Sequence, residues 1–406
     1  MRMNKAPDAS SAMLTPEGVS KLDVQETLEI VATLGDSFIN TLRELHAPPV
    51  GLKTLRRYRI QEAARAIGRS VSWLRAQEAE GSFPAPGDRS AGGRRMYTLE
   101  EINAIRGYAG TLPKSPPQRP YVLGFVNFKG GSSKTTCTYL ASHFLASRGY
   151  RVLLIDLDPQ GSLTASFEIS RNGQPVRGID WEQTIGPVLT GEVDDPGTLV
   201  HQTHWPTIDI IPASVDVYDA EMLLAVETAR TGVQDNPFWR RLDTAVRRFR
   251  DYDFVLLDSA PALNLAAINA VVAADGLVMP VPPRNLDLEA AVKFAKVVHA
   301  WTERLPGFNE RRRWLRLLLT QLQKGSLSDQ THALLASRFF GSLIFNNNFP
   351  MSEAVRRGSA GAPSCYEGSN QVDRSQAEAN RRVREALDEV FEEMLAMVQA
   401  NQGGKS

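Results

Sequence analysis

The stretch Phe125–Tyr139, FVNFKGGSSKTTCTY, decides the fold. An apolar run precedes it and a helix-compatible run follows it, so it reads as a strand, a glycine-rich turn and a helix start. Gly130 and Gly131 let the backbone come close to a ligand, and the amides at the positive end of a helix form a site for phosphate oxygens. In that setting Lys134 reaches the β- and γ-phosphates of a nucleoside triphosphate and the Thr135 hydroxyl coordinates Mg²⁺. Ser132, Ser133 and Thr136 complete the loop. A strict P-loop, GxxxxGK[ST], has glycine before its lysine, whereas this sequence has Ser133, so the general pattern taken alone does not match.

Around this loop, apolar runs alternate with helical segments: YVLGFVNF from Tyr121, RVLLIDLD from Arg151, IDIIPA from Ile208, FVLLDSA from Phe254, GLVMPVP from Gly276 and RLLLTQL from Arg316. Such a succession predicts an α/β fold with a mostly parallel sheet covered by helices on both faces. Val383, Leu387, Val390, Phe391, Met394 and Val398 mark a closing helix over 376–400. Asp156 and Asp158 lie two apart and so point the same way at the carboxyl end of the second run. Asp258 ends the fourth. Ligands bind at those strand ends in open α/β sheets, where Asp258 would accept a hydrogen bond from Thr135 or from a magnesium-bound water. One carboxylate alone could be a helix cap or a surface charge. Their convergence on one edge points to phosphate chemistry.

Composition bounds the rest. A chain of 406 residues exceeds one ordinary domain, so two folded parts are expected. No apolar run approaches the ~20 residues of a membrane span. The amino terminus lacks the apolar stretch of a signal peptide, and Cys137 and Cys365 make neither a disulfide framework nor zinc spacing. A cytoplasmic, reducing compartment is therefore expected. The formal net charge is zero, but over 51–100 basic residues outnumber acidic ones two to one, a candidate DNA footprint.

Residues 1–21 are polar and read as a tail. Over 22–50, Val24, Leu28, Val31, Phe38, Leu42 and Leu45 form a narrow seam interrupted by Gly35, suited to helix pairing between two subunits. In 51–112, IQEAARAIGRSVSWLRA from Ile60 reads as a helix-turn-helix: Ala63, Ala64 and Ile67 pack inward, Gly68 permits the turn, and Ser70 caps the next helix. Ser70, Ser72, Trp73 and Arg75 lie near that helix's start, the part that faces base edges. GDRSAGGRRMYTLEEI is similar to the wing and following helix of MerR-like domains, with Arg94 and Arg95 as phosphate contacts. Residues 113–120 are a proline-rich linker, 121–400 the nucleotide domain and 401–406 a tail.

A second lysine narrows the reading of the loop. KGGSSKTT, Lys129 to Thr136, resembles the deviant Walker A motif KGGxxK[ST][ST] of the ParA and MinD superfamily. DLDPQ from Asp156, DYDFVLLDSAPALN ending in the Walker B-like Asp258, AAINAVVAADGLVMPVPP and MSEAV are similar to further family elements, over roughly Tyr121 to Leu395. The resemblance implies ATP and Mg²⁺ as ligands, with Lys129, Lys134 and Asp158 catalytic. Lys129 would reach the nucleotide of the other protomer in a homodimer, Asp158 would position the attacking water, and Thr135, Asp156 and Asp258 would serve the metal.

The order of parts resembles the larger plasmid ParA proteins and the RepA proteins of repABC-type replicons. That implies a nucleoid-associated ATPase for DNA partition, nonspecific DNA binding by the ATP dimer, stimulation by a ParB-type centromere-binding partner, and repression of its own operon. Many relatives carry DNA-holding arginines where this chain has NNNFP, so the nearest candidates are Lys324, Arg356 and Arg357. The acidic carboxyl-terminal helix argues against a MinD-like membrane role, and the cysteines do not suit an iron–sulfur reductase. A nucleotide-responsive transcriptional regulator remains the alternative.

Overall fold

A computed structural model describes residues 24–25, 27–31, 34, 53–90, 92–113, 119–176, 178–235, 238–262, 264–311, 313–323, 325–359, 363–368 and 374–403. The chain divides into two compact units, Met1–Leu52 and Lys53–Ser406. In the first, residues 24–25, 27–31 and 34 are helical, with Val24, Leu28 and Val31 exposed. Phe38, Leu42 and Leu45 of the expected seam, residues 1–21, linker residues 114–118, Lys324 and residues 404–406 lie outside the described residues.

The strands of the second unit are β1 Thr54–Leu55, β2 Tyr58–Arg59, β3 Asp88–Arg89, β4 Arg95–Tyr97, β5 Tyr121–Phe125, β6 Val152–Asp156, β7 Ile169–Arg171, β8 Gln174–Pro175, β9 His201–Thr203, β10 Ile208–Ile211, β11 Phe254–Asp258, β12 Gly276–Val281, β13 Trp314–Leu319 and β14 Glu367–Gly368. Nine form one sheet in the order β13-β12-β5-β11-β6-β10-β9-β7-β8. Its first six are parallel, and they are the six apolar runs of the sequence. The last three extend the edge antiparallel.

Period-two alternation builds two cores. Tyr121, Leu123, Phe125, Phe254 and Leu256 pack with helices Lys134–Ser147 and Arg374–Gly403. Val122, Val255 and Leu257 pack with helices Val217–Asp235, Arg241–Val246 and Leu265–Ala273. Toward β13, Leu277, Met279 and Leu317 pack with helices Asn285–Thr302 and Leu327–Phe340. Gly124 makes room in β5: a Cβ there would lie 2.9 Å from the Leu277 side chain on β12, which would have to shift.

Before the sheet, helices Ile60–Ile67 and Val71–Ala79 are joined through Gly68 in the left-handed region, at φ 75°, and Ser70 caps the second by accepting from Trp73 N at 3.1 Å. β2-β4-β3 form an antiparallel sheet, and Thr98 with Glu101 makes a capping box for helix Leu99–Ala109. The core of these elements, including Ile67, Leu74, Tyr97 and Ile102, is continuous with that of the large sheet. Two joints hold it there. β1 pairs antiparallel with β14, and buried Arg106 donates to Ala66 O at 2.9 Å and Ser147 O at 3.0 Å. The second contact sets a cation at the negative end of helix Lys134–Ser147.

Beneath the β1–β14 joint lies a buried polar knot. Glu367 accepts from Trp205 Nε1 at 3.1 Å, Tyr139 Oη at 3.2 Å and Ser364 N at 2.6 Å, and pairs with His204. Burial opposes its charge, but the His204 hydrogen bond and the Lys53 ammonium hold its carboxyl far below the usual range. His143 stacks on Trp205 with ring centroids 4.4 Å apart, and its Nδ1 lies 2.9 Å from Ser364 Oγ. Burial lowers the His143 imidazole to about 3, so it is neutral in the fold and charges only in the unfolded chain below its ordinary pKa of about 6.5. The stability this contributes is complete above that pH and declines as pH falls, by up to ~1.4 kcal/mol per unit. Urea unfolding of His143→Phe from pH 7 to 5 is expected to show a loss about 2 kcal/mol smaller than wild type. The stability that Glu367 contributes, its carboxyl being depressed below 4.5, is present above that pH and is lost only as pH falls below it, outside this window.

Candidate nucleotide site

The loop between β5 and helix Lys134–Ser147 is pinned before it is filled. Asn127 Nδ2 donates to Pro280 O at 2.9 Å while its Oδ1 accepts from Lys129 N at 3.1 Å. Gly131 has φ 73°, which glycine adopts freely. Ser133, where the general pattern has glycine, has φ 77°. The chain takes the backbone path that glycine would allow, at the strain of a side chain in the left-handed region.

Lys134 is only 6% exposed, and its Nζ lies 3.4 Å from Lys129 O. Burial lowers its pKa, while Asp258 and Asp158 act in the opposite sense. Lys129 points elsewhere: its Nζ is 2.8 Å from Asp287 Oδ1, at the start of helix Asn285–Thr302. The loop thus carries one buried and one half-exposed cation.

Strand register sets Asp258 beside Asp156 on one flank and Phe125 on the other. Both oxygens of Asp156 are engaged: Oδ1 accepts from Asp158 N at 3.1 Å, and Oδ2 from Thr164 N and Oγ1 at 2.9 and 2.8 Å. Asp158 Oδ1 accepts from Gln160 N at 3.0 Å, which shapes the turn after β6. Asp258 accepts from Thr135, and Thr138 Oγ1 lies 3.4 Å from its Oδ1. Its buried Oδ2 has no partner. Burial, then mutual repulsion, raises Asp258 well above the carboxylate range, and burial pushes Asp156 to about 6.

Hydroxyl and carboxylate oxygens beside an unpartnered Asp258 Oδ2 suit a hard cation. Among the described residues no three His, Cys, Asp or Glu side chains group to hold a metal ion. Thr164, Asp287, Thr320 and Gln321 also shape this site, and no motif marked them in the sequence. Thr320 Oγ1 donates to Ser132 O at 3.1 Å, and Gln321 Nε2 donates to Ser133 Oγ at 3.0 Å and to Gly131 O.

The candidate DNA contacts lie on other elements. Ser70, Ser72, Arg75 and Arg94 are exposed. Ser72 Oγ is 2.9 Å from Ser70 Oγ, and Trp73 is half-buried, its ring 6.4 Å from Phe83 and from Tyr108. Arg95 is ion-paired with Glu78, which also accepts from Tyr97 Oη. Arg356 is exposed on helix Glu353–Ser359, which also contains Arg357. Asn346 and Asn347, in the NNNFP stretch, donate from their backbone N–H groups to the Glu393 carboxylate.

A glycine-rich loop after the first strand of a parallel sheet, with carboxylates at the adjacent ends of β11 and β6, defines a P-loop nucleotide-binding protein. A family model described as an AAA domain matches residues 121–310. Protein SopA of Escherichia coli (strain K12) is 32% identical over 329 residues, 79% of this chain and 82% of SopA. A putative replication protein A of Sinorhizobium fredii (strain NBRC 101917 / NGR234) is 28% identical over 383 residues, 88% of this chain and 90% of that one. A solved structure named Partition Protein covers 92% of this chain and 98% of its own, with a TM-score of 0.61 at 19% identity. This chain belongs to the ParA-type partition ATPase family that includes SopA. No described helix is long and apolar enough to cross a membrane.

Proposed function

We propose that this protein is a DNA-partition ATPase that closes as a homodimer over two ATP molecules, each protomer offering Lys129 to the phosphates held by the other. The observation that carries this reading is the division of labour on one loop: Lys134 is buried against the carboxylates, while the Lys129 side chain is 36% exposed and held by a single ion pair to Asp287. Parked on Asp287 and apart from Lys134, the Lys129 ammonium is available to a second phosphate group. Exchange of Asp287 for a phosphate keeps the ammonium paired throughout closure.

In this reading Gly130, Gly131, Ser132, Ser133 and Thr136 line the phosphates and Asp158 orients the attacking water. Thr135, Asp156 and Asp258 would hold Mg²⁺, which when bound neutralises charge on the transferred phosphoryl group. Hydrolysis removes the contact that Lys129 makes across the dimer and releases it. A ParB-type partner would accelerate that step. The ATP dimer would hold DNA nonspecifically, with Lys324, Arg356 and Arg357 as candidates, in the cytoplasm on the nucleoid.

The elements from Tyr58 to Ala109 would act as a winged helix-turn-helix that reads an operator through Ser70, Ser72, Trp73 and Arg75, with Arg94 and Arg95 at the wing. Autoregulation follows if that operator lies upstream of its own gene. Footprinting of that region with ATP, with ADP and without nucleotide tests the pair of roles. A protected site is expected to be lost in Ser72→Ala/Arg75→Ala and to change with nucleotide. Protection unchanged by those substitutions would remove the operator role and leave the ATPase alone. Substitution is the cleaner probe, because truncation at Pro120 would strip a shared core.

A further inference from the structure

Three non-glycine residues among those described have positive φ, and two of them meet: Ser133 at 77° and Gln321 at 57°. Gln321 lies just beyond β13, two strands away from β5 in the sheet. Its Nε2 donates to Ser133 Oγ at 3.0 Å and to Gly131 O, so both amide protons are used on the phosphate loop. The residue before it, Thr320, donates from Oγ1 to Ser132 O at 3.1 Å. Successive peptides of the loop are therefore held by their carbonyls from the same side. In a trans peptide the N–H points opposite to the C=O, so these contacts turn the Ser132 and Ser133 N–H groups away from β13 and toward the concave side of the loop, where phosphate oxygens are expected.

We propose that Gln321 is a positioning residue for nucleotide: it presets the loop amides and lets serine occupy a left-handed position that elsewhere calls for glycine. The reasoning rests on the phosphate-binding reading of the loop. Strain of this kind persists only where surrounding contacts over-determine it. The hydroxyl of Ser133 supplies the acceptor that a glycine would lack, so strain and compensation come with the same side chain. Gln321 itself sits in a left-handed conformation, which directs its short reach back over the loop instead of outward along the edge helix.

A double-mutant cycle on the full chain tests this, with Mg-ADP affinity by calorimetry and melting of the nucleotide-free protein as paired readouts. Gln321→Ala is expected to weaken Mg-ADP about tenfold, through loss of two hydrogen bonds that order the loop, with little change in melting. Gln321→Glu, which keeps the shape but replaces the donor by an acceptor facing Gly131 O, should weaken binding further. In a Ser133→Gly background the same Gln321→Ala change should cost only about threefold, since one of the two bonds is then already gone and no strain remains to be offset. Lowered melting with unchanged affinity would overturn the positioning role, and strictly additive effects would overturn the compensation. If the unsubstituted chain failed to bind Mg-ADP, the phosphate reading itself would fall, an outcome separate from either.

Discussion

Replacing Lys134 with alanine is expected to reduce ATP affinity by at least about 100-fold. The side chain is buried at the base of the loop, and among the described residues its ammonium makes one hydrogen bond, a 3.4 Å contact to Lys129 O. A phosphate would convert that weak contact into charge-assisted bonds, each worth about 1.5–3 kcal/mol. Two such bonds, about 3–6 kcal/mol together, cover the predicted loss, because the fold already bears the desolvation of the ammonium. The fold should tolerate the change. Burial raises Asp258 well above the carboxylate range, so withdrawing the ammonium does not leave both neighbouring carboxylates charged. Calorimetric titration would check it; affinity within twofold of wild type would remove the phosphate-site reading.

Asp158→Ala is expected to bind ATP and to hydrolyse it about 100- to 1,000-fold more slowly, the range for loss of a group that orients or deprotonates a nucleophile. Asp158 is 8% exposed and follows the end of β6. Its Oδ1 accepts from Gln160 N, so alanine also loosens the turn. Asp158→Asn separates the two effects by keeping an oxygen for Gln160 while weakening interaction with water. Single-turnover measurement on both variants distinguishes them: slow hydrolysis in both assigns the water to Asp158, whereas normal hydrolysis in Asp158→Asn moves that role to another group.

Much of this site was readable in the sequence because local rules and tertiary packing agree there. The six apolar runs are strands on both flanks of β5 because parallel strands buried on two faces need continuous hydrophobicity. Asp156 and Asp258 lie side by side because strand register fixes what lies beside a strand end, and Asp158 follows in the turn. The edge strands β7, β8 and β9 gave no such signal: they are two or three residues long and include polar residues, so their extended form comes from pairing with the sheet. The β1–β14 joint was equally invisible, since Thr54 and Gly368 are neighbours only after the whole unit has closed.

By itself the sequence determined that Gly130, Gly131, Lys134 and Thr135 lie on a glycine-rich turn between a strand and a helix, and that Lys129 gives the turn a second cation, since those properties reside in residue chemistry and short spacing. Only the tertiary structure decided that Ser133 takes a glycine's conformation under Gln321, that Lys129 rests on Asp287, and that Arg106 and Glu367 seat the preceding helices against the phosphate-loop helix. Each of those contacts joins residues distant in the chain, and their geometry exists only once the sheet has brought its strand ends together.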